Sequence, residues 1–169
     1  MKALVVYESM FGNTEKIARA IADGLGDVLE VTIAEARTMP SAAEYDLIVV
    51  GGPTHAFGLS RAATRQAAVE QGSSRPADAG LREYLDVSPM LTGVAAATFD
   101  TKVKQRFVPG SAASKAHRQL RRLGCRMLAA PQSFRVAGTP GPLLEGEVER
   151  ARGWAAELGE AMKTERHRV

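Results

Sequence analysis

Two short runs of uninterrupted apolar residues, Leu4-Val5-Val6-Tyr7 and Leu47-Ile48-Val49-Val50, constrain the fold of this chain more than any other feature. A strand without polar alternation is buried on both faces, as in the centre of a parallel sheet covered by helices. Each run stops at a turn, the polar stretch Ser9 to Thr14 after the first and Gly51-Gly52-Pro53 after the second. Between them the spacing becomes helical from Asn13, with Ile17, Ala20, Ile21 and Leu25 on one face and Gly24 and Gly26 at the end.

The rest of the chain keeps the alternation. Residues 28–33 alternate apolar and polar and predict a half-buried edge strand, and Pro40 and Ser41 lie in a loop. Ser60 is a fitting N-cap for a helix through Val69, which Gly72-Ser73-Ser74-Arg75-Pro76 breaks. A short helix is expected at 81–85 and a fourth strand at 91–99. Ser111 caps a basic helix ending near Gly124. The segment 127–136 holds the fifth strand, although Pro131 argues against a regular interior strand there. After the loop Gly138 to Pro142, a helix is expected at 145–162, carrying Val148, Ala151, Ala155, Leu158 and Met162 on one side. A polar tail after Lys163 is expected to fray. The reading is one α/β domain over 1–163, a doubly wound five-stranded parallel sheet with helices on both faces.

Composition narrows the classes. A chain of 169 residues fits one domain, and the single Cys125 allows no internal disulfide. No Cys and His cluster has zinc-ligand spacing. The first apolar run is too short for a signal peptide or membrane span, so a cytoplasmic protein is expected. The net charge of +3 hides an asymmetry. From Lys102 to Arg126 there are eight cations (Lys102, Lys104, Arg106, Lys115, Arg118, Arg121, Arg122 and Arg126) and no acid. Such a block is either a solvated helix face or an electrostatic docking patch. Cys125 and Trp154 read as packing residues, and His117 and His167 as surface ones.

Three loops carry chemistry. Ser9, Met10, Phe11, Gly12, Asn13 and Thr14 lie between a strand and a helix. There, backbone N–H groups can bind an anion. Ser9, Asn13 and Thr14 add side-chain donors, and Gly12 permits close approach of backbone. The loop has no lysine, so it is not a Walker-type nucleotide loop. Donors without a fixed cation suit a phosphate monoester, and an ordinary strand-to-helix turn with an Asn or Thr cap fits these residues equally. A second loop, Pro53, Thr54, His55, Ala56, Phe57 and Gly58, follows the third strand, at the sheet end where doubly wound folds bind ligands. A third, Thr98, Phe99, Asp100 and Thr101, follows the fourth.

These loops resemble those of flavodoxins. Ser9, Gly12 and Thr14 match the loop that wraps the phosphate of FMN in that family. Pro53, Thr54 and Gly58 match the loop that lies against the isoalloxazine ring, with His55 where the family often has Trp and Phe57 where it has Tyr. Asp100 matches an Asp of the second ring loop, while Lys104 stands where an aromatic usually covers the ring; either Phe99 or Phe107 takes that role or one ring face is more open than usual, and core packing at a strand end fits Phe99 equally. The resemblance implies a flavodoxin-like sheet of order 2-1-3-4-5, an FMN cofactor and electron transfer. From the placement of the loop and the mobility of its glycine, peptide groups around Ala56 to Gly58 are expected to serve the N5 edge of the ring. This chain is basic where flavodoxins are usually acidic. The expected partner is therefore an acidic redox protein docking near Lys102, Lys104 and Arg106, on a monomer with no nucleic-acid or membrane partner. Competing readings are an FMN-dependent NAD(P)H:quinone-type oxidoreductase, or a flavodoxin-like domain without FMN acting as a binding module. A phosphorylation receiver needs an Asp ending the third strand, where Gly51-Gly52 stands.

Overall fold

A computed structural model of the protein describes residues 1–104 and 109–168. The first apolar run becomes β1 (Lys2–Tyr7) and the second β3 (Leu47–Pro53). They pair in parallel, with Val5 opposite Val49. On the other side of β1 lies β2 (Glu30–Glu35), with Val5 opposite Ile33. Next to β3 comes β4 (Ala95–Val103), with Gly52 opposite Asp100. Two short strands complete the sheet against β4, namely β5 (Arg126–Met127) and β6 (Gln132–Val136). The order is β2-β1-β3-β4-β5, all parallel, as expected, with β6 also on β4.

Successive side chains of a strand point to opposite faces. Val5, Tyr7 and Val49 therefore face one way, onto α1 (Asn13–Leu25) and α5 (Glu147–Arg166), in a core with Ile17, Ile21, Phe99, Phe134 and Leu158. Leu4, Val6, Ile48 and Val50 face the other way, onto α3 (Leu81–Val87) and α4 (Ala112–Arg122), with Leu85, Ala116, Leu120 and Cys125. The remaining helix, α2 (Ala62–Glu70), buries little besides Arg65 and Ala68. Trp154 packs α5 onto the sheet by edge contact with Phe134, centroids 6.1 Å apart.

Several boundaries move for physical reasons. The fifth strand position is split, because Pro131 has no N–H to give to the ladder. The fourth strand begins at Ala95, after Leu91 has folded into a turn and bonded back to Leu123 O (2.7 Å) and Gly93 has turned with φ 80°. The second lies at Glu30–Glu35, two residues later than expected. Ser60 caps no helix, since its hydroxyl is given to Glu8 Oε1 (2.8 Å), and α2 starts at Ala62. The last helix continues to Arg166, three residues past Lys163. Its final turns are held by Lys163 Nζ on Glu160 Oε1 (2.8 Å) and by the ion pair of Glu165 with Arg126. His117 is half-buried rather than on the surface, and its Nδ1 meets no partner among the described residues. No helix of the described residues is long and apolar enough to cross a membrane.

Candidate functional site

The carboxyl ends of β1, β3 and β4 open into a crevice of about 60 Å³, lined by Ser9, Phe11, Asn13 and Thr14 on one side and by Pro53, Thr54, His55 and Thr101 on the other. Its first wall is the turn into α1. Gly12 sits at the N-cap with φ 90°, a conformation that is strained for a side chain, and donates its N–H to Ser9 Oγ (3.0 Å). The N–H groups of Asn13, Thr14 and Glu15 have no intrahelical acceptor. Among the described residues no side chain caps them. Thr14 and Thr101 share a hydrogen bond between hydroxyls (2.7 Å), which ties the turn to β4. Asn13 Nδ2 donates to Pro140 O (3.2 Å), so the loop after β6 overhangs the crevice.

The second wall is the loop after β3. Thr54 is its pivot. Its N–H donates to Thr101 O (3.0 Å), its hydroxyl donates to Asp100 Oδ2 (3.0 Å), and the same oxygen accepts from Ala112 N (3.0 Å). Beyond it the chain reverses in a two-residue turn closed by His55 N on Gly58 O (2.8 Å) and Gly58 N on His55 O (2.9 Å). The turn residues, Ala56 and Phe57, have φ of 43° and 71°, and Phe57 stands 56% exposed at the tip. Left-handed backbone at a bulky residue stores strain, which concentrates at functional sites. His55 Nδ1 lies 3.1 Å from Thr64 Oγ1, whose own proton goes to Arg61 O (3.0 Å). Burial, and then the Arg65 charge, hold His55 below the ordinary histidine range.

The third loop divides. Thr101 reaches the crevice. Thr98 and Phe99 do not. The Thr98 hydroxyl donates to Ala113 O (2.9 Å) on α4. Phe99 is fully buried edge-on to Phe134 (6.5 Å), in the space a side chain at Gly51 would fill. Phe99 thus packs the core, the second of the two roles open to it in the sequence. Asp100 is buried and acts from behind, accepting from Thr54 Oγ1 and from Ala113 N (3.0 Å each) at the start of α4. Its Oδ1 has no partner among the described residues. Lys102 Nζ donates to Gly110 O (2.6 Å), and Lys104 is exposed. Arg106 and Phe107 lie outside the described residues.

Other residues enter that carried no signal in the sequence. Arg75 comes from the segment read as a helix break, and its Nη2 stands 3.4 Å from the place a side chain on Gly12 would take. It donates to Glu15 Oε2 (2.6 Å). Beneath the loops, Glu8 is 7% exposed, and its Oε1 accepts from Ser60 Oγ (2.8 Å) and Leu81 N (2.7 Å). Arg65, 1% exposed, donates to that same Ser60 (2.9 Å) and pairs with Glu83 (2.5 Å). Sixty residues separate Arg75 from Glu15, and sequence periodicity says nothing across such a span. Among the described residues no cluster of His, Cys, Asp and Glu is placed to hold a metal.

The profile of the flavodoxin domain family matches residues 4–68, which include the first two loops. Among solved structures, a flavodoxin from the domain Archaea is 20% identical, with 96% of this chain and 99% of that one aligned at a TM-score of 0.69. Oxidised flavodoxin 2 from Bacillus cereus is 22% identical, covering 95% and 99%, with a TM-score of 0.68. The Flv1 flavodiiron core from Synechocystis sp. PCC6803 is 18% identical over 97% of this chain but 36% of its own, with a TM-score of 0.63. Among curated proteins, none matches the chain.

Proposed function

We propose that this chain, flavodoxin-like in its whole fold and matched to the flavodoxin domain over residues 4–68, holds FMN in the crevice and passes electrons between partners. The observation that carries this reading is the uncapped start of α1. Three N–H groups, at Asn13, Thr14 and Glu15, are left without a side-chain cap among the described residues, beside Ser9, Asn13 and Thr14, a donor set made for a dianionic phosphate monoester. Thr54, His55 and Thr101 line the opposite wall, where a ring would lie, and the peptide groups of Ala56 and Phe57 belong to a turn that closes on itself through His55 and Gly58. When bound, FMN supplies the redox chemistry, and the protein supplies position and electrostatics. Asp100, through Thr54 and the start of α4, keeps the ring loop in register with the sheet.

Lys102, Lys104 and the exposed Lys115, Arg118, Arg121 and Arg122 make the surface beside the crevice and along α4 cationic. The last four form no ion pair among the described residues. An acidic redox protein is the partner this surface suits, with an association rate that falls as salt rises.

One observation favours a second reading. A groove of about 210 Å³ continues from His55 past Thr64 and Ala67 of α2 to Gln71 just beyond it, room for a small acceptor next to the ring loop. That would make the protein a reductase of small molecules, and bleaching of bound flavin by NAD(P)H alone would select it over the carrier.

The test of the cofactor is incubation with FMN, desalting and an absorbance spectrum. Retained bands near ~370 and ~450 nm, which flavin cofactors give, support the reading. A colourless protein refutes it.

A further inference from the structure

Glu15 occupies the third position of α1, where a carboxylate ordinarily turns back and caps its own helix. Here both of its oxygens are drawn elsewhere. Oε2 accepts from Arg75 Nη2 (2.6 Å), while Oε1 accepts from Arg19 Nη2 (2.9 Å) and the Tyr7 hydroxyl (3.2 Å). Arg19 is largely exposed and contributes little. Arg75 is better sheltered and is built into the loop. Gly72 turns the chain with φ 105°, the Ser73 hydroxyl donates to Met10 O (2.5 Å), and Arg75 N donates to Ser73 Oγ (3.2 Å). The segment that breaks α2 thus forms a second layer behind the turn at Ser9 to Thr14.

We propose that Arg75 is a positioning residue for the phosphate end of the crevice, drawing the Glu15 carboxylate off the α1 N-terminus and cancelling its charge so that a phosphate monoester can take the N–H groups. This rests on the FMN reading. The Arg75 hydrogen bond holds the Glu15 carboxyl below the usual carboxylate range, so Glu15 is charged at neutral pH. Without Arg75 that charge stands in the first turn of the helix, competing for its dipole and repelling an incoming anion. The arginine therefore selects a phosphorylated flavin over an unphosphorylated one without belonging to the ring site.

The experiment measures the affinity of FMN and of riboflavin, which lacks the phosphate, for the full chain and for R75Q, E15Q and the double variant. Stabilisation by inorganic phosphate is followed alongside. R75Q is expected to weaken FMN about tenfold and leave riboflavin unchanged, and adding E15Q should restore FMN binding. Phosphate should raise the Tm of the wild type and the double variant, but not that of R75Q. Equal losses of FMN and riboflavin, an unchanged FMN affinity in R75Q, or no rescue by E15Q would overturn the proposal. If neither flavin binds the wild type while phosphate still follows this pattern, the flavin reading fails and the role of Arg75 stands. If phosphate too has no effect on the wild type, both fall.

Discussion

Replacing Glu8 with Gln tests the polar layer beneath the crevice by its pH dependence. The Glu8 Oε1 accepts two hydrogen bonds, from Ser60 Oγ at 2.8 Å and Leu81 N at 2.7 Å, whereas Oε2 is buried without a partner among the described residues. Burial pushes the carboxyl above its ordinary 4.5, against the smaller opposing pull of these bonds and of Arg65. Because the folded protein binds this proton more tightly than the unfolded chain, the associated stability is fully present below pH 4.5 and is lost as pH rises toward the folded value. One proton sets the limiting slope, about 1.4 kcal/mol per pH unit. Glutamine keeps the two accepted bonds and cannot ionise. The difference in stability between E8Q and the wild type should therefore be flat below pH 4.5 and then move in favour of E8Q. The shift would be roughly 3–6 °C in Tm per pH unit for a domain of this size. Thermal unfolding of both proteins in steps between pH 4 and 8 measures it, and only the slope matters, since the amide adds a constant offset. Parallel curves across that range would show that Glu8 is not held protonated, and the reasoning would fail.

Three other substitutions and titrations probe separate parts. Gly51→Ala places a Cβ 2.3 Å from the Phe99 ring and should cost about 1–3 kcal/mol in urea unfolding, with F99L recovering part of the loss. Thr54→Val removes the hydroxyl shared by Asp100 and Ala112 N. It should reduce FMN retention after desalting more than it lowers Tm, and equal effects would make Thr54 a purely structural residue. The ring resonances of His55 should titrate with a midpoint below 6.5 in NMR, because burial and Arg65 disfavour the cation, whereas a midpoint above 6.5 would contradict its placement.

The doubly covered parallel sheet is readable from the chain because Leu4 to Tyr7 and Leu47 to Val50 have no polar alternation, and the stops at Ser9 and Gly51 locate the ligand end of each strand, whereas the strand order comes from the family resemblance. The two loops with family-like residues indeed converge at one crevice. What escaped reading depends on side chains finding distant partners. Ser60 looks like an N-cap until Glu8, 52 residues away, takes its hydroxyl. Phe99 reads equally as a ring cover and as core packing, and only Gly51, on the neighbouring strand, shows the room the core keeps for it. Arg75 sits in a run of Gly, Ser and Pro that reads only as a break, and its pairing with Glu15 follows from the packing of that break against Met10.

The division of the last strand position at Pro131 also governs how this sheet meets other molecules. A parallel sheet has two open margins whose unpaired peptide groups invite a foreign strand. On one margin, a strand arriving here finds only Arg126–Met127, then an interruption before Gln132–Val136, with a proline that donates nothing. On the other margin, β2 begins and ends in glutamates, Glu30 and Glu35. Neither side presents a long, flat, uncharged ladder, so the hydrophobic strands at the centre are shielded from edge-to-edge stacking into aggregates by the irregularity of their own borders.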